Sequence, residues 1–283
     1  MRVVSLLPAA TEIVAALGAG GALVGVSHEC DYPPEVRRLP RVTRARIDVG
    51  GSSAAIDRAV TQAKQAGEPA IEVDVDLVAR LRPDVIIGQS VCDVCAVGAG
   101  ELERLVATLM PTPWVVTLHA HTLEGVFVEL GKVGDAVELA DEAEELVAGL
   151  RYRLRRVHQT PGAHPTPPRV LVLEWLDPPY VAGHWVPELV ELAGGRAVAR
   201  AAGEPSRPYP WPELAALDPD LVVIALCGFD VARARGEFAG VTDGAARALF
   251  TRRLEFLDGN AYTSRPGPRL VDAAEIMARW LRS

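Results

Sequence analysis

Two stretches of the sequence read almost alike: Leu77-Val78-Ala79-Arg80-Leu81-Arg82-Pro83-Asp84-Val85-Ile86-Ile87 and Leu214-Ala215-Ala216-Leu217-Asp218-Pro219-Asp220-Leu221-Val222-Val223-Ile224. Each begins with a helical pattern, breaks at Pro-Asp and continues as an apolar run. The break is expected because a residue that precedes proline disfavours the helical conformation. The repetition predicts two similarly built halves, each with a buried strand after the break.

Short runs rich in Val, Ile and Leu recur between helical patterns along the rest of the chain, as in buried parallel strands. The predicted strands are residues 3–7, 23–26, 85–87, 114–118, 170–173 and 221–226. The predicted helices are residues 11–17 with Thr11 as the cap, 53–66, 75–81, 100–109 and 187–192. This alternation predicts an α/β protein made of two Rossmann-like lobes with central, mostly parallel sheets.

A long charged stretch separates the two halves. It runs from about Leu123 to Val157, and a segment rich in proline follows it, Thr160-Pro161-Gly162-Ala163-His164-Pro165. A helix cannot continue through such a segment. We therefore predict a first lobe at 1–121, one long connecting helix with its linker at 122–160, and a second lobe at 161–283.

Composition excludes several classes of function. The net charge of −8 provides no basic field for nucleic acid. No apolar run approaches the roughly 20 residues of a membrane span, so we expect no membrane insertion. The first residues enter a strand pattern without a signal-peptide pattern. We therefore expect a cytoplasmic location, or a periplasmic or extracytoplasmic one if a signal has been removed.

The order of several motifs resembles a known family. The opening Val3-Val4-Ser5-Leu6-Leu7-Pro8-Ala9-Ala10-Thr11-Glu12, the later Leu23-Val24-Gly25-Val26, both Pro-Asp segments and the closing Arg265-Pro266-Gly267-Pro268-Arg269 are similar to cobalamin, haem and ferric siderophore-binding proteins of class III ABC transporters. Cys30 and Cys92-x-x-Cys95 resemble a soluble subgroup usually labelled cobalamin-binding. The resemblance implies two lobes bridged by one rigid helix, a ligand in the interlobe cleft and delivery to an ABC permease.

Ligands of open α/β sheets bind outside the carboxyl ends of the strands, so the loops after the predicted strands are the candidate site. Most of the distinctive side chains of the chain fall in these loops. In the first lobe they are His28, Cys30, Asp31, Tyr32, Gln89, Cys92 and Cys95, and in the second they are Trp175, Tyr180, His184, Trp185, Cys227, Phe229, Tyr262 and Arg265.

The cysteines allow two interpretations. Cys30, Cys92 and Cys95, with or without Cys227, could hold zinc or an iron–sulfur cluster, because a two-residue spacer lets both thiolates of a CxxC face one ion. The alternative is small half-buried thiols without a metal partner, since an isolated cysteine often behaves as a small apolar residue. A thioredoxin-type redox pair is disfavoured, because Cys92-x-x-Cys95 lacks the proline and aromatic residues that usually accompany such a pair.

The aromatic and basic residues proposed to bind the ligand also allow structural interpretations. The aromatic rings of the second lobe could lie flat against a corrin or porphyrin, or they could be ordinary core. His28 and His184 could ligate a metal centre held by the ligand or hydrogen-bond its amides, or they could be surface or capping residues. Arg265 and the last helix could meet acidic groups of a ligand, or the segment could be a simple helix start.

The sequence contains no GxSxG, HExxH, Walker A or GxGxxG motif, so nothing positive indicates an enzyme. We therefore expect a protein that binds cobalamin or a related corrinoid or metal chelate, as an ABC-type solute-binding protein or a cytoplasmic carrier. The alternative is a metalloprotein with an iron–sulfur cluster or zinc on the cysteines. Absorbance of the purified protein separates the two.

Overall fold

The structure, a computed structural model, describes residues 1–89, 97, 99–160 and 165–283. The chain forms two units. Unit 1 comprises Met1–Gly51, Arg58–Ala120 and Glu124–Gly149, and unit 2 comprises Ser52–Asp57, His121–Leu123 and Leu150–Ser283. Each unit contains a sheet with parallel strands flanked in sequence by helices. The predicted α/β fold class is confirmed.

Unit 1 is built around a parallel sheet of four strands and also contains a separate pair of strands. In chain order the six strands of the unit are β1 (Val3–Ser5), β2 (Leu23–Val26), β3 (Thr43–Ala45), β4 (Ile71–Val73), β5 (Val85–Gln89) and β6 (Trp114–Leu118). Its helices are α1 (Pro8–Ala16), most of α2 (Ser53–Gln65), α3 (Val75–Leu81), α4 (Ala99–Ala107), most of α5 (Leu123–Ala136) and the first half of α6 (Ala140–Gln159). The sheet order is β2-β1-β5-β6, while β3 and β4 form a separate antiparallel pair.

Unit 2 contains a mixed sheet of six strands. Its strands are β7 (Arg169–Leu176), β8 (Pro179–Val181), β9 (Arg196–Ala197), β10 (Arg207–Pro208), β11 (Leu221–Ile224) and β12 (Arg253–Phe256). Its helices are α7 (Val186–Leu192), α8 (Trp211–Ala216), α9 (Val231–Ala239), α10 (Gly244–Leu249) and α11 (Leu270–Arg282). The order is β10-β8-β7-β11-β12, with β9 beside β7. Strands β7, β9, β11 and β12 run parallel, and β8 and β10 are antiparallel to their neighbours.

The Pro-Asp break that repeats in the sequence makes the same contacts in both units. In unit 1 the Asp84 carboxylate accepts the backbone N–H of Arg2 at 2.7 Å, and the Asp84 N–H donates to the Arg2 carbonyl at 2.8 Å. In unit 2 Asp220 makes the equivalent pair with Arg169, at 2.7 and 2.9 Å. The aspartate of each half therefore joins the start of one strand to the start of its neighbour.

The helices that precede the two breaks also end in the same way. The residues before the prolines, Arg82 and Asp218, both have φ of 45°, in the left-handed region that commonly ends helices. The guanidinium of Arg2 donates to the Leu81 carbonyl at 2.7 Å, and that of Arg169 donates to the Leu217 carbonyl at 2.6 Å. These bonds satisfy carbonyl groups that lack a partner within the helix.

The interior of each unit is formed by strand residues that read as continuous apolar runs. In unit 2 all four residues of β11 are buried, as expected for a central parallel strand. In unit 1 Val4 and Ile86 of the sheet belong to one buried cluster with Val78 of α3 and Leu102 and Leu105 of α4.

The segment predicted as one connecting helix forms two helices. Helix α5 ends at Ala136 and α6 begins at Ala140, with Glu138 at φ 60° between them. The division between the units falls inside α6, after Gly149, so α6 alone is the long helix shared by both. The left-handed residue explains the break, because a helix cannot continue through that conformation.

The predicted start of the first helix is wrong. Helix α1 begins at Pro8, and Thr11 lies buried within it. Proline is favoured at the first helical position because its missing N–H would have no partner there. Within the described residues, no helix is long and apolar enough to cross a membrane.

We predict that Asp84→Ala and Asp220→Ala each lower the free energy of unfolding by about 1 kcal/mol, because each removes the acceptor of a backbone N–H. Urea denaturation followed by circular dichroism measures this. The control is Glu103→Ala, which removes an exposed carboxylate from α4. A loss no greater than that of the control would show that the repeated contact does not stabilise the fold.

Candidate functional site

The loop after β2 is held in place by one arginine of unit 1. The N–H of Cys30 donates to the Ser27 carbonyl at 3.1 Å, which closes a turn. The guanidinium of Arg41 donates to the carbonyls of Ser27 and Cys30, at 2.9 and 2.7 Å. Two donors of one planar group therefore fix both ends of the turn that carries His28.

The imidazole of His28 is oriented by Thr43 of β3. Thr43 Oγ1 lies 2.7 Å from His28 Nδ1 and accepts the His28 backbone N–H at 3.0 Å. The hydroxyl of Thr43 donates its proton to Ser27 Oγ at 3.1 Å, so its oxygen is left to accept from Nδ1. This assigns the proton of the neutral ring to Nδ1 and leaves the lone pair on Nε2.

Burial lowers the pKa of His28 below 6.5, and the positive charge of Arg41 lowers it further. Both effects disfavour the imidazolium form. A neutral imidazole with a free Nε2 lone pair is the form that ligates metals or accepts a hydrogen bond.

Cys30 lies next to His28 but does not face solvent. Its side chain is 1% exposed, and its Sγ lies 3.1 Å from Thr11 Oγ1, which donates to Ser5 Oγ at 2.8 Å. Of the other predicted residues in this unit, Tyr32 is 46% exposed, Asp31 is partly exposed, and Gln89 is buried at the end of β5. Cys92 and Cys95 lie outside the described residues.

An aromatic group lies at the end of β7 in unit 2. Trp175 and Phe229 meet edge to face, with ring centroids 5.2 Å apart and planes at 64°. Tyr180 of β8 is directly opposite Trp175 across the strand pair, so both side chains project from the same face of the sheet. Trp175 and Tyr180 are partly exposed and Phe229 is buried, so the group combines accessible rings with a packed base.

Polar contacts fix the orientation of this group. Trp175 Nε1 donates to the Ser53 carbonyl at 3.2 Å, and the Arg233 guanidinium lies 3.6 Å from the centroid of the Phe229 ring. Glu237 accepts both the backbone N–H and the hydroxyl of Ser53, at 2.9 and 2.8 Å. The aromatic faces are therefore positioned before any ligand arrives.

Other predicted residues of unit 2 are packed. Trp185 is 7% exposed and its Nε1 donates to the Thr263 carbonyl at 2.9 Å. Arg265 is 4% exposed and donates to Asn260 Oδ1 at 2.8 Å. Both side chains are therefore buried against other residues of unit 2. Tyr262 lies in the π-helical turn Gly259–Thr263, with the Arg269 guanidinium 5.8 Å from its ring centroid.

Cys227 and His184 lie in loops after strands, as predicted. Cys227 is a free, partly exposed thiol whose backbone N–H donates to the Glu174 carbonyl at 2.9 Å. His184 is half-buried after β8, with φ of 52°. The part of the chain that the structure describes contains no group of three or more His, Cys, Asp or Glu side chains able to hold a metal ion.

Several residues that shape the site were not predicted. Arg41 and Thr43 follow the His28 turn at a distance along the sequence, outside the motif that contains His28. Arg233 and Glu237, which contact the aromatic group and Ser53, lie on α9. No local pattern identifies them, because each acts on a partner that only the folded chain brings near.

His28 and Phe229 lie in loops after the parallel strands β2 and β11, as the sequence predicts, but Trp175 lies within β7 and Tyr180 within the antiparallel strand β8. The family model described as Periplasmic binding protein matches residues 3–239. The chain belongs to this family, and it is a substrate-binding protein of the ABC-transporter class rather than an enzyme. The predicted resemblance is thereby confirmed.

Similar proteins cover almost the whole chain. A vitamin B12-binding protein of Vibrio cholerae serotype O1 is 23% identical over 285 residues, which cover 99% of this chain and 89% of that protein. The structure of the periplasmic vitamin B12 binding protein BtuF of Vibrio cholerae aligns with a TM-score of 0.70 and 21% identity, over 99% of this chain and 96% of that one.

A haem-binding protein has the same fold. The periplasmic heme-binding protein RhuT from Roseiflexus sp. RS-1, in its apo form, aligns with a TM-score of 0.69 and 22% identity, over 99% of this chain and 97% of that one. At such identities the solved structures establish the fold alone, and they do not distinguish between ligands.

We predict that the imidazole of His28 titrates with a midpoint below 6.5 in ¹H NMR, with the resonance assigned by its loss in His28→Gln. Arg41→Gln moves the midpoint upward but not fully to 6.5, because burial is the larger cause. The folded state then binds fewer protons than the unfolded chain as the pH falls below 6.5, so this residue's contribution to stability decreases there. A midpoint at or above 6.5 would contradict the assigned environment.

Proposed function

We propose that this protein binds cobalamin or a related corrinoid as the substrate-binding component of an ABC transporter. The observation that carries the proposal is the group of Trp175, Tyr180 and Phe229 at the end of β7 in unit 2. A corrinoid presents a broad, largely apolar ring with polar groups at its rim. Oriented aromatic faces suit such an apolar ring better than they suit a sugar or an amino acid, which present mostly polar groups.

The electrostatics of the His28 turn support a ligand that contains a metal. Nδ1 is engaged by Thr43, and burial with Arg41 favours the neutral ring. Nε2 is therefore available as a ligand to a metal centre or as an acceptor for an amide of the corrin rim. Whether His28 and the aromatic group line one cleft, as the sequence predicts, stays a prediction.

The relatives favour cobalamin over haem. The curated protein that covers 99% of the chain is named for vitamin B12 binding, while the haem-binding proteins are found among the structural neighbours, which establish only the fold. We therefore take cobalamin as the first ligand to test and haem as its competitor.

Family membership supports delivery of the ligand to an ABC permease. The cytoplasmic location expected from the sequence receives no support from the relatives, since BtuF and RhuT are both described as periplasmic. We propose that the protein acts outside the cytoplasm, and fractionation of the cells that make it tests this.

The alternative of a metal held by cysteines stays a prediction. Cys92 and Cys95 lie outside the described residues, and the thiol of Cys30 is buried against Thr11. Among the residues that the structure describes, no group of three or more His, Cys, Asp or Glu side chains surrounds a metal position, so we do not propose it as a second function.

We predict that Trp175→Ala weakens the binding of cobalamin by about tenfold or more, because it removes the larger of the two partly exposed rings of the aromatic group. Isothermal titration calorimetry measures the affinity. The matched control is Trp114→Ala, since Trp114 is 56% exposed at the amino end of β6, away from the carboxyl ends of the strands. Equal effects of the two substitutions would argue against the aromatic group as the binding surface.

Haem and cobinamide are titrated in parallel. Binding of haem with no binding of cobalamin would show that the ligand is a porphyrin rather than a corrinoid. The aromatic group would still be the binding surface if Trp175→Ala weakened the binding of haem. Absence of binding to all three ligands would overturn the proposed function.

A further inference from the structure

The start of helix α2 lies against the aromatic group of unit 2. The Ser53 carbonyl accepts Trp175 Nε1 at 3.2 Å, while the backbone N–H and the hydroxyl of Ser53 donate to Glu237 at 2.9 and 2.8 Å. Ser53 is only 2% exposed. These three hydrogen bonds fix the first turn of α2 beside Trp175.

Asp57 lies one helical turn after Ser53. Side chains four residues apart project from the same face of an α-helix, so Asp57 projects from the face of α2 that carries Ser53. Both residues belong to unit 2, whereas the part of α2 that begins at Arg58 belongs to unit 1. Asp57 is partly exposed. The helix therefore places an accessible carboxylate at the edge of the aromatic group.

The hydroxyl of Tyr180 reports the sign of the charge at this edge. Burial raises the pKa of Tyr180, and the carboxylates of Asp57 and Glu174 raise it further, because a negative neighbour disfavours the phenolate. Glu174 directly precedes Trp175 in β7, and Tyr180 is opposite Trp175 across the strand pair. The Tyr180 end of the aromatic group is therefore acidic.

An arginine lies at the other end of the aromatic group, over Phe229. The Arg233 guanidinium is 3.6 Å from the centroid of that ring. Its charge is accompanied by two carboxylates of the same segment, since Asp230 accepts the Arg233 backbone N–H at 2.8 Å and Glu237 lies one turn later on α9. The positive charge at the Phe229 end is thus offset locally.

The two candidate ligands differ in the groups at their rims. A corrinoid such as cobalamin carries neutral amides, whose N–H groups donate hydrogen bonds, whereas haem carries propionate carboxylates. A protein carboxylate accepts N–H donors but repels a like charge. Repulsion of the wrong ligand is a common source of specificity. An acidic edge therefore suits a rim of amides better than a rim of carboxylates.

We propose that Asp57, together with Glu174, selects a ligand with neutral amides at its rim and disfavours one with carboxylates there. The proposal rests on the proposed binding of the ligand at the aromatic group. It deepens that function by naming the charges that distinguish a corrinoid from haem.

The first experiment compares pairs of ligands that differ in the charge of the rim. Cobalamin is compared with its monocarboxylic acids, in which one amide is replaced by a carboxylate, and haem with its dimethyl ester, which lacks the propionate charges. Isothermal titration calorimetry measures each affinity. We expect the neutral member of a pair to bind more tightly by about threefold or more. Asp57→Asn, which keeps the shape of the side chain and removes its charge, reduces this preference.

The matched control is Asp135→Asn, which removes the same charge from an exposed position of α5 and should keep the full preference. Lack of a preference in the natural chain, or a preference that Asp57→Asn leaves unchanged or the control reduces equally, would overturn the selection while leaving the binding itself established. Failure of both pairs to bind would overturn the proposed function and this inference together.

A second measurement needs no ligand. The pKa of Tyr180 is obtained from the absorbance of the phenolate, with the signal assigned by its loss in Tyr180→Phe. We expect Asp57→Asn to lower this pKa, because it removes one of the negative charges that raise it. An unchanged pKa would show that the carboxylate does not act on the Tyr180 end of the group, and the inference would then fail even if cobalamin binds.

Discussion

The contact on which both units depend is the one made by Asp84 and Asp220. Each carboxylate accepts a backbone N–H at the start of the neighbouring strand, from Arg2 just before β1 or from Arg169 of β7, and the side chain of that arginine caps the helix that has just ended. A single turn therefore ends a helix, starts a central strand and sets the register of that strand against the next. Because the turn occurs twice, the parallel pair β1–β5 of unit 1 and the parallel pair β7–β11 of unit 2 are joined by the same local contact.

Parallel register has a direct consequence for function. When strands point the same way, their carboxyl ends form one edge, and the loops that leave that edge converge. The loop after β2 carries His28, and the ends of β7 and β11 bring Trp175 and Phe229 together. Within each unit these side chains lie near the carboxyl ends of strands, whereas the Pro-Asp contact lies at the amino ends of the central strands.

Desolvation acts on the two half-buried imidazoles in the same direction. Both His28 and His184 have a pKa lowered by burial, and an arginine adds to the effect in each case, Arg41 for the first and Arg200 for the second. Both rings are therefore favoured in the uncharged form.

Local chemistry in the sequence determined the elements: apolar runs predicted the central strands, Pro-Asp marked where helices end, and the loop that carries His28 was identifiable, although Trp175 lies in β7 rather than in the predicted loop. Tertiary structure alone decided which loop residues are accessible. Trp185 and Arg265 pack inside unit 2. Thr43 of β3 orients the His28 ring while Arg41 fixes the turn around it. The reason is physical: strand and helix propensity act between near neighbours, whereas burial and side-chain hydrogen bonds depend on partners that only folding brings together.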